Sequence, residues 1–208
     1  MRFLAIVITA VGLGSCATLD REECLAGNWS EIGFVDGVEG TPMSRLGRHA
    51  DACAKYGVVP DLPSYAAGRD RGLRSYCTVE IGFYEGRTGD DYEGVCPPQL
   101  EPNFLLGFAD GELVRAVDQM ISFARGDHMR ALERVRDLTG EMEAEENLLA
   151  DDSLNDEERE SIHTRIHRLQ DDRDHAYADI LWAEREEDSA EREMMDLRAR
   201  FVSFYGPW

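Results

Sequence analysis

A heptad pattern of apolar residues that runs twice through the second half of the chain constrains the fold more than any other feature. Apolar residues recur at alternating spacings of three and four from Val114 to Leu149, and again from Ile162 to Phe204. A repeat that averages about 3.5 residues over several heptads is typical of coiled-coil helices. The pattern therefore predicts two long helices that share one apolar seam. Four seam positions are exceptions: His128, Glu145, Arg173 and Glu187.

The segment between the two stretches predicts a turn at about residues 150–155 and a new helix after it. Asn155, followed three residues later by Glu158, has the pattern of a capping box. Asp156 and Glu157 then lie at the positive end of the helix dipole. The two helices are therefore expected to run antiparallel.

One register pairs every seam position when the two stretches are matched about this turn. It sets Leu138 opposite Ile166 and His128 opposite Ala176. The sequence thus predicts an antiparallel coiled-coil hairpin over residues 101–208.

The amino terminus has the pattern of a secretory signal. One arginine precedes an apolar run from Phe3 to Leu13, which is much shorter than the roughly 20 residues that a transmembrane helix needs. Residues 13–16, Leu-Gly-Ser-Cys, resemble the bacterial lipobox, in which the cysteine is lipidated and becomes the first mature residue. We therefore expect a signal peptide over residues 1–15 and lipidation at Cys16. By resemblance to sorting signals, Ala17 indicates the outer membrane; ordinary cleavage near Ala17 is the alternative.

Export makes disulfides the expected state of the other four cysteines, Cys24, Cys53, Cys77 and Cys96. Three pairings are possible. We favour Cys24 with Cys53, because residues 28–40 and 42–57 resemble two helices that fold back on each other at Gly40-Thr41-Pro42. Cys77 with Cys96 then closes a local loop. A zinc site is the competing interpretation, but the spacings are wide and include no Cys-x-x-Cys pair.

A glycine-containing hexapeptide recurs along the chain. IGFVDG at residues 32–37 returns as LGFADG at 106–111, with looser relatives AGRDRG at 67–72 and IGFYEG at 81–86. Two glycines four apart on a helix let another backbone approach closely, and each glycine costs about 1 kcal/mol in a helix interior. No lysine or hydroxyl residue follows at the spacing of a phosphate-binding loop. We therefore predict helix packing by Gly33, Gly37, Gly68, Gly72, Gly107 and Gly111.

Composition changes near residue 100, since nearly all the glycine, proline and cysteine residues precede it. The sequence predicts a mainly α protein: a small, disulfide-stapled helical head over residues 16–100, with GxxxG helix crossings, and then the hairpin.

A specific order of glycine, tyrosine and cysteine residues marks the head. The set comprises Trp29, Gly33, Asp36, Gly37, His49, Cys53, Tyr65, Gly68, Arg69, Gly72, Leu73, Tyr76, Cys77, Gly82, Gly86, Gly89, Tyr92, Val95, Cys96, Pro97 and Phe104. In this order, residues 20–115 resemble an uncharacterised family of bacterial lipoproteins, known only as a domain of unknown function. The resemblance implies an envelope lipoprotein with a cysteine-stapled head and a helical tail, and it implies no activity.

Charge narrows the class of partner. The chain has 42 acidic against 22 basic residues, for a net charge of −20, which argues against nucleic acid and against an anionic bilayer face. Residues 141–196 hold 21 acidic residues and six arginines. A solvated coiled-coil surface explains much of this charge, and a basic protein partner is the more specific interpretation.

The sequence indicates no enzyme, metal site or cofactor. His163 and His167 have the spacing of a two-histidine metal site but lack the HExxH glutamate and lie off the seam, so we expect them in solvent. We expect an outer-membrane-anchored periplasmic lipoprotein that acts as a structural or interaction module through its acidic arm, binding an envelope protein or itself. The alternative is an enzyme or inhibitor that acts on the cell wall through a cleft in the head.

Overall fold

The structure is a computed structural model that describes residues 18–208, so the predicted signal peptide and Cys16 lie outside the described residues. Within the described range there is no strand, and no helix is long and apolar enough to cross a membrane. Its seven helices are α1 (Arg21–Ala26), α2 (Trp29–Val38), α3 (Arg45–Ala54), α4 (Leu62–Tyr76), α5 (Val79–Thr88), α6 (Glu101–Leu148) and α7 (Asp156–Tyr205).

The helices group into two compact units. The first contains residues 18–78 and 92–104, and the second contains residues 79–91 and 105–208. This division differs from the boundary expected near residue 100, because α5 belongs with the long helices. The mainly α fold and the long carboxyl-terminal hairpin are confirmed.

The first unit is built around a disulfide between α1 and α3. Cys24 and Cys53 are bonded, with their Cα atoms 5.4 Å apart, and both side chains are fully buried. The pairing is the one predicted, but the reason for it differs. Cys24 lies on α1, a separate short helix that ends at Gly27 with a φ of 62°, and α2 packs mainly against α4 instead of folding back on α3.

The second disulfide, also as predicted, holds residues 92–104 to the end of α4. Cys77 and Cys96 are bonded with their Cα atoms 5.7 Å apart. The ring of Phe104 stacks on Tyr76 at 5.2 Å and contacts Tyr92 at 4.6 Å between ring centres. A small aromatic cluster therefore reinforces this loop.

The second unit is dominated by the antiparallel pair α6 and α7, which at 48 and 50 residues are each about 70–75 Å long. The predicted capping box is confirmed. The Glu158 N–H donates to Asn155 Oδ1 and the Asn155 N–H donates to Glu158 Oε2, both at 2.9 Å. The chain thus turns back on itself where the sequence indicated.

The predicted register of this hairpin is wrong by about one heptad. It would set Val114 opposite Ala190, but Val114 shares a buried cluster with Met194 and Leu197 as well. Arg125 forms ion pairs of 2.6 Å with Glu187 and Glu191, residues that lie eight or more positions beyond the predicted partner, residue 179. His128 accordingly lies near Glu184, not opposite Ala176.

Two details at the ends of α7 accompany the shift. Arg159 donates to the carbonyl oxygens of Leu149 at 2.9 Å and Asp151 at 2.7 Å, which holds the segment after α6 beside the first turn of α7. At the other end Phe204, expected on the seam, is 70% exposed. Tyr205 takes its place by stacking on Phe83 of α5, with ring centres 4.0 Å apart.

Candidate functional site

In the first unit, helices α2 and α4 cross backbone to backbone through four glycines. A Cβ atom on Gly33 would overlap the carbonyl oxygen of Tyr65, and one on Gly68 would overlap that of Ser30. Gly37 and Gly72 lie equally close to the carbonyl groups of the facing helix. The glycines are therefore required by the close approach of the two helices.

In the second unit, α5 and α6 cross in the same way. Gly107 lies against the carbonyl oxygen of Val79, Gly111 against that of Phe83, and Gly86 against that of Phe108. The two copies of the hexapeptide hold the same place in their crossings, since Gly33 and Gly107 each meet a carbonyl oxygen one turn before the one that Gly37 and Gly111 meet. The six predicted packing glycines all lie at a crossing.

Gly86 is a seventh packing glycine, which the sequence analysis did not assign although its hexapeptide, IGFYEG, was among the looser relatives. The GxxxG spacing of Gly82 and Gly86 in that copy indicates the packing role of Gly86.

The aspartate of the first hexapeptide is the centre of a buried hydrogen-bond network. Asp36 Oδ2 accepts from the Tyr65 hydroxyl at 2.6 Å and from His49 Nε2 at 2.8 Å. The other ring nitrogen of His49, Nδ1, lies 2.8 Å from the hydroxyl oxygen of Thr18. Asp36, His49 and Tyr65 are all buried, so one network joins α2, α3, α4 and the segment before α1.

The surroundings of Tyr65 make its hydroxyl hard to ionise. Burial raises the pKa of Tyr65 well above its usual value, and the hydrogen bond to Asp36 raises that pKa further. The buried Arg69 next to it donates from Nε to the carbonyl oxygen of Thr41 at 2.9 Å. Tyr65 is therefore a protonated donor that keeps Asp36 in place.

The second hexapeptide has a related hydrogen bond. Asp110 Oδ2 accepts from the Tyr205 hydroxyl at 2.6 Å, and burial followed by this hydrogen bond raises the pKa of Tyr205. Asp36 and Asp110 occupy the same position in their hexapeptides. Each therefore ties a glycine crossing to a tyrosine.

A cavity of about 550 Å³ adjoins the network in the first unit. Thr18, Asp36, His49 and Arg45 are among the residues that line it, and the Nε atom of Arg45 is buried without a hydrogen-bond partner among the described residues. Glu22 and Glu31 lie at other parts of its wall. A hydroxyl, an imidazole and a carboxylate in this order can pass a proton from the hydroxyl to the imidazole.

The sequence analysis missed this network because its members are far apart in the chain. Asp36 and Tyr65 are 29 residues apart. His49 bonds to Asp36, which lies 13 residues away.

Other sequence candidates are not brought together. His163 and His167 are exposed, as expected. Among residues 18–208, no group of three or more histidine, cysteine, aspartate or glutamate side chains is arranged to hold a metal ion.

The end of the hairpin is acidic and open to solvent. We call six exposed carboxylates the tip acids, and none of them is in an ion pair with another described residue. They are Glu141, Glu143, Glu146, Asp151, Asp152 and Glu157.

Comparisons with known proteins identify one similar family. A search of curated proteins and a search of solved structures find no match. Residues 28–113 match the model of a family described as "Protein of unknown function (DUF2799)". The matched segment contains both glycine crossings, from Gly33 to Gly111. The resemblance to an uncharacterised family, drawn above from the order of these residues, is thereby confirmed for this part of the chain.

Proposed function

We propose that this protein is a lipoprotein of the outer membrane that faces the periplasm and captures a basic envelope protein through the tip acids. Lipid on Cys16 holds the first unit at the membrane, and the hairpin supplies the binding surface. The observation that carries the proposal is the set of six exposed tip acids, none of them in an ion pair with a described residue, at the end of a long, well-packed hairpin.

The structure close to Cys16 supports a short anchor. Thr18 bonds to His49, and Leu19 belongs to the buried cluster around the Cys24–Cys53 disulfide. Only one residue separates Cys16 from Thr18, a span of about 7 Å when extended. A lipid on Cys16 would therefore hold the folded unit close to the bilayer surface without a linker.

The carboxylates of the hairpin support a protein partner over a structural role alone. Some other acids of the hairpin meet arginines, as in the Glu145–Arg165 pair at 2.6 Å and the Arg125–Glu187 pair at 2.6 Å. The tip acids form no such ion pair, although hydrogen bonds from Ser153, and then the charge of the nearby Arg159, lower the pKa of the Asp151 carboxyl. Like charges held together cost stability, and a basic surface that binds them would remove this repulsion and accelerate association.

The test uses the full chain with all six tip acids changed to Gln or Asn. Photo-crosslinking in living cells from a reactive residue at position 148, beside the tip, should yield one or a few defined adducts with the wild-type tip. Those adducts should disappear in the neutral variant, while thermal stability stays equal or rises slightly. Adducts recovered in equal amount with the neutral tip would contradict the proposal.

A matched control separates local recognition from total charge. Six other exposed acids on α7 that form no ion pair, Asp171, Asp172, Asp174, Glu186, Asp188 and Glu193, can be neutralised in the same way. This control should retain the adducts. Equal loss in both variants would indicate that only the overall acidity matters.

Localisation has its own readout. Cys16→Ser should remove the lipid, detectable by fatty-acid labelling, and release the chain from the membrane fraction. A protein that stays in that fraction unlabelled would contradict the lipid anchor.

The cavity beside His49 favours a second candidate, an enzyme or inhibitor that acts on the cell wall. The order Thr18, His49, Asp36 is the observation that favours it. The full-length wild type and Thr18→Val should then differ in binding to purified cell-wall sacculi or in release of soluble fragments from them. Identical behaviour of the two proteins, or no binding and no release, would rule against this candidate.

A further inference from the structure

A second cavity, in the second unit, concentrates positive charge in a chain that is otherwise strongly acidic. It has a volume of about 330 Å³ and is formed by α5, α6, α7 and the residue Trp208. Three arginines, Arg87, Arg115 and Arg198, line it, against a single carboxylate, Asp118. The whole chain has 42 acidic and 22 basic residues. Around this cavity, by contrast, basic residues outnumber acidic residues by three to one.

The arginines are positioned by contacts other than ion pairs. The guanidinium carbon of Arg87 lies 5.2 Å from the centre of the Trp208 ring, and that of Arg198 lies 5.6 Å from it. A cation–π contact of this kind holds a guanidinium group without a hydrogen-bond acceptor, so it does not use up the N–H donors. The indole is itself held by Phe83, with ring centres 5.4 Å apart.

Arg115 is placed by a glycine. Gly89 has a φ of 87°, and a Cβ atom there would overlap the guanidinium group of Arg115. The left-handed backbone and the missing side chain at this position therefore make room for Arg115. Each of the three arginines thus has a defined place at the cavity.

None of the three guanidinium groups is neutralised by a neighbour. Within residues 18–208, the side chains of Arg87, Arg115 and Arg198 form no ion pair and no hydrogen bond to protein, and Asp118 is likewise in no ion pair. Three like charges around one cavity repel one another, and an anion between them would convert that repulsion into attraction.

We propose that this cavity binds the phosphate group of a phosphate ester, held by Arg87, Arg115 and Arg198. The forked N–H donors of arginine match phosphate oxygens in geometry, and a phosphate dianion balances more of the charge than a carboxylate does. Trp208 and the exposed ring of Tyr84 offer apolar surface to the organic part of the ester. This site is separate from the tip acids and does not depend on the function proposed for them.

Size and charge define the ligand class further. A volume of about 330 Å³ lies at the small end of the range for ligand pockets, so the cavity suits a headgroup or a small ester. The net charge of −20 opposes a nucleic-acid polyanion. A lipid headgroup and a soluble phosphate ester share the required chemistry.

Binding is measured with the exported chain carrying Cys16→Ser, which keeps every residue that the structure describes. The probes are glycerol 3-phosphate by titration calorimetry, and neutral phosphatidylcholine vesicles with and without phosphatidic acid by co-sedimentation. Binding of glycerol 3-phosphate identifies a soluble ester as a sufficient ligand, and binding only to phosphatidic acid vesicles identifies a lipid headgroup. Both results support the site. If neither probe binds, the proposal is overturned.

Four variants make the test specific. Arg87→Gln and Arg198→Gln should each weaken binding roughly tenfold, the value expected for the loss of a charge-assisted hydrogen bond. Arg192→Gln, which makes the same charge change at an exposed position outside the cavity, should leave binding unchanged. Asp118→Asn should strengthen binding several-fold, a gain that misfolding cannot mimic. Equal weakening by Arg192→Gln, or weaker binding by Asp118→Asn, would overturn the proposal.

Discussion

The carbonyl oxygen of Tyr65 on α4 lies so close to the Cα atom of Gly33 on α2 that no Cβ atom fits between them. The same relationship joins Val79 of α5 to Gly107 of α6. The recurring hexapeptide is thus a repeated packing device, and its aspartates add a hydrogen bond from a tyrosine in each copy.

Alanine substitution should therefore act in opposite directions at different glycines. Gly68→Ala and Gly107→Ala would push a methyl group into a backbone carbonyl of the facing helix, so both should destabilise their unit by several kcal/mol. Gly140, on α6, has open space where a Cβ atom would lie. Gly140→Ala should stabilise the hairpin by about 1 kcal/mol through helix propensity. Urea unfolding followed by circular dichroism measures all three, and a stabilising Gly68→Ala would contradict the crossing geometry.

The buried Tyr65 should make the first unit sensitive to alkali. Its pKa is raised in the folded state, so the folded chain holds a proton that the unfolded chain releases above about pH 10. The stabilisation is complete below that pH and is lost as pH rises toward the folded-state pKa. Tyr65→Phe should reduce this alkaline slope and, by removing the hydrogen bond to Asp36, cost roughly 1.5–3 kcal/mol at neutral pH. Tyr84→Phe, at a 56% exposed position, is the control and should change neither quantity.

Removal of the Cys24–Cys53 bond should affect the first unit selectively. The bond spans 29 residues, for which loop-closure entropy gives about 3–4 kcal/mol of stabilisation. The double variant Cys24→Ser, Cys53→Ser should lower the unfolding midpoint of the first unit and leave that of the hairpin unchanged. Hydrogen exchange followed by mass spectrometry measures the first unit and the hairpin separately. Faster exchange throughout α7 would contradict the prediction that only the first unit is destabilised.

The register found in the structure predicts which residues of the last turns of α7 matter. Leu197 is buried in the cluster with Val114 and Val117, whereas Phe204 is 70% exposed. Leu197→Ala should cost about 2–5 kcal/mol as a cavity mutation, and Phe204→Ala should cost little. Thermal unfolding of the two variants tests this prediction. A comparable loss of stability in Leu197→Ala and Phe204→Ala would indicate that Phe204 is also buried in the seam.

Glu85 of α5 should reduce stability at neutral pH. Burial, and secondarily the nearby Asp90, raise the pKa of Glu85 in the folded state. Its contribution to stability is therefore largest below the unfolded-state pKa and declines as pH rises through the folded-state pKa. Glu85→Gln should raise the melting temperature at pH 7 and make little difference at pH 3. A lower melting temperature at pH 7 would count against this assignment.

The sequence alone was sufficient for features that depend on local pattern. The heptads of α6 and α7, the Asn155–Glu158 capping box and the GxxxG spacings each reflect a period or a short motif. The disulfide pairing was also predicted, although the helix that carries Cys24 was not. Gly27, whose left-handed conformation ends α1, was the residue whose role was overlooked.

Features that depend on distant contacts could not be predicted in the same way. A shift of one heptad sets every seam residue opposite another seam residue, so the apolar pattern fits either register equally well. The choice depends on partners such as Arg125 with Glu191 and Arg159 with Leu149. The contact of His49 with Asp36 likewise requires the tertiary fold, because neither residue belongs to a local motif.

The order of the two units along the chain has a consequence for how the protein matures. Residues 79–91 belong to the second unit but are inserted between two parts of the first. A chain that emerges amino terminus first, from the ribosome or from an export channel, therefore cannot complete the first unit until residues 92–104 have emerged. The glycine of α5 likewise meets its partner only after α6 has emerged. Cys77 cannot pair until Cys96 has emerged, so in such a chain Cys24 and Cys53 can form their bond before the second pair can close.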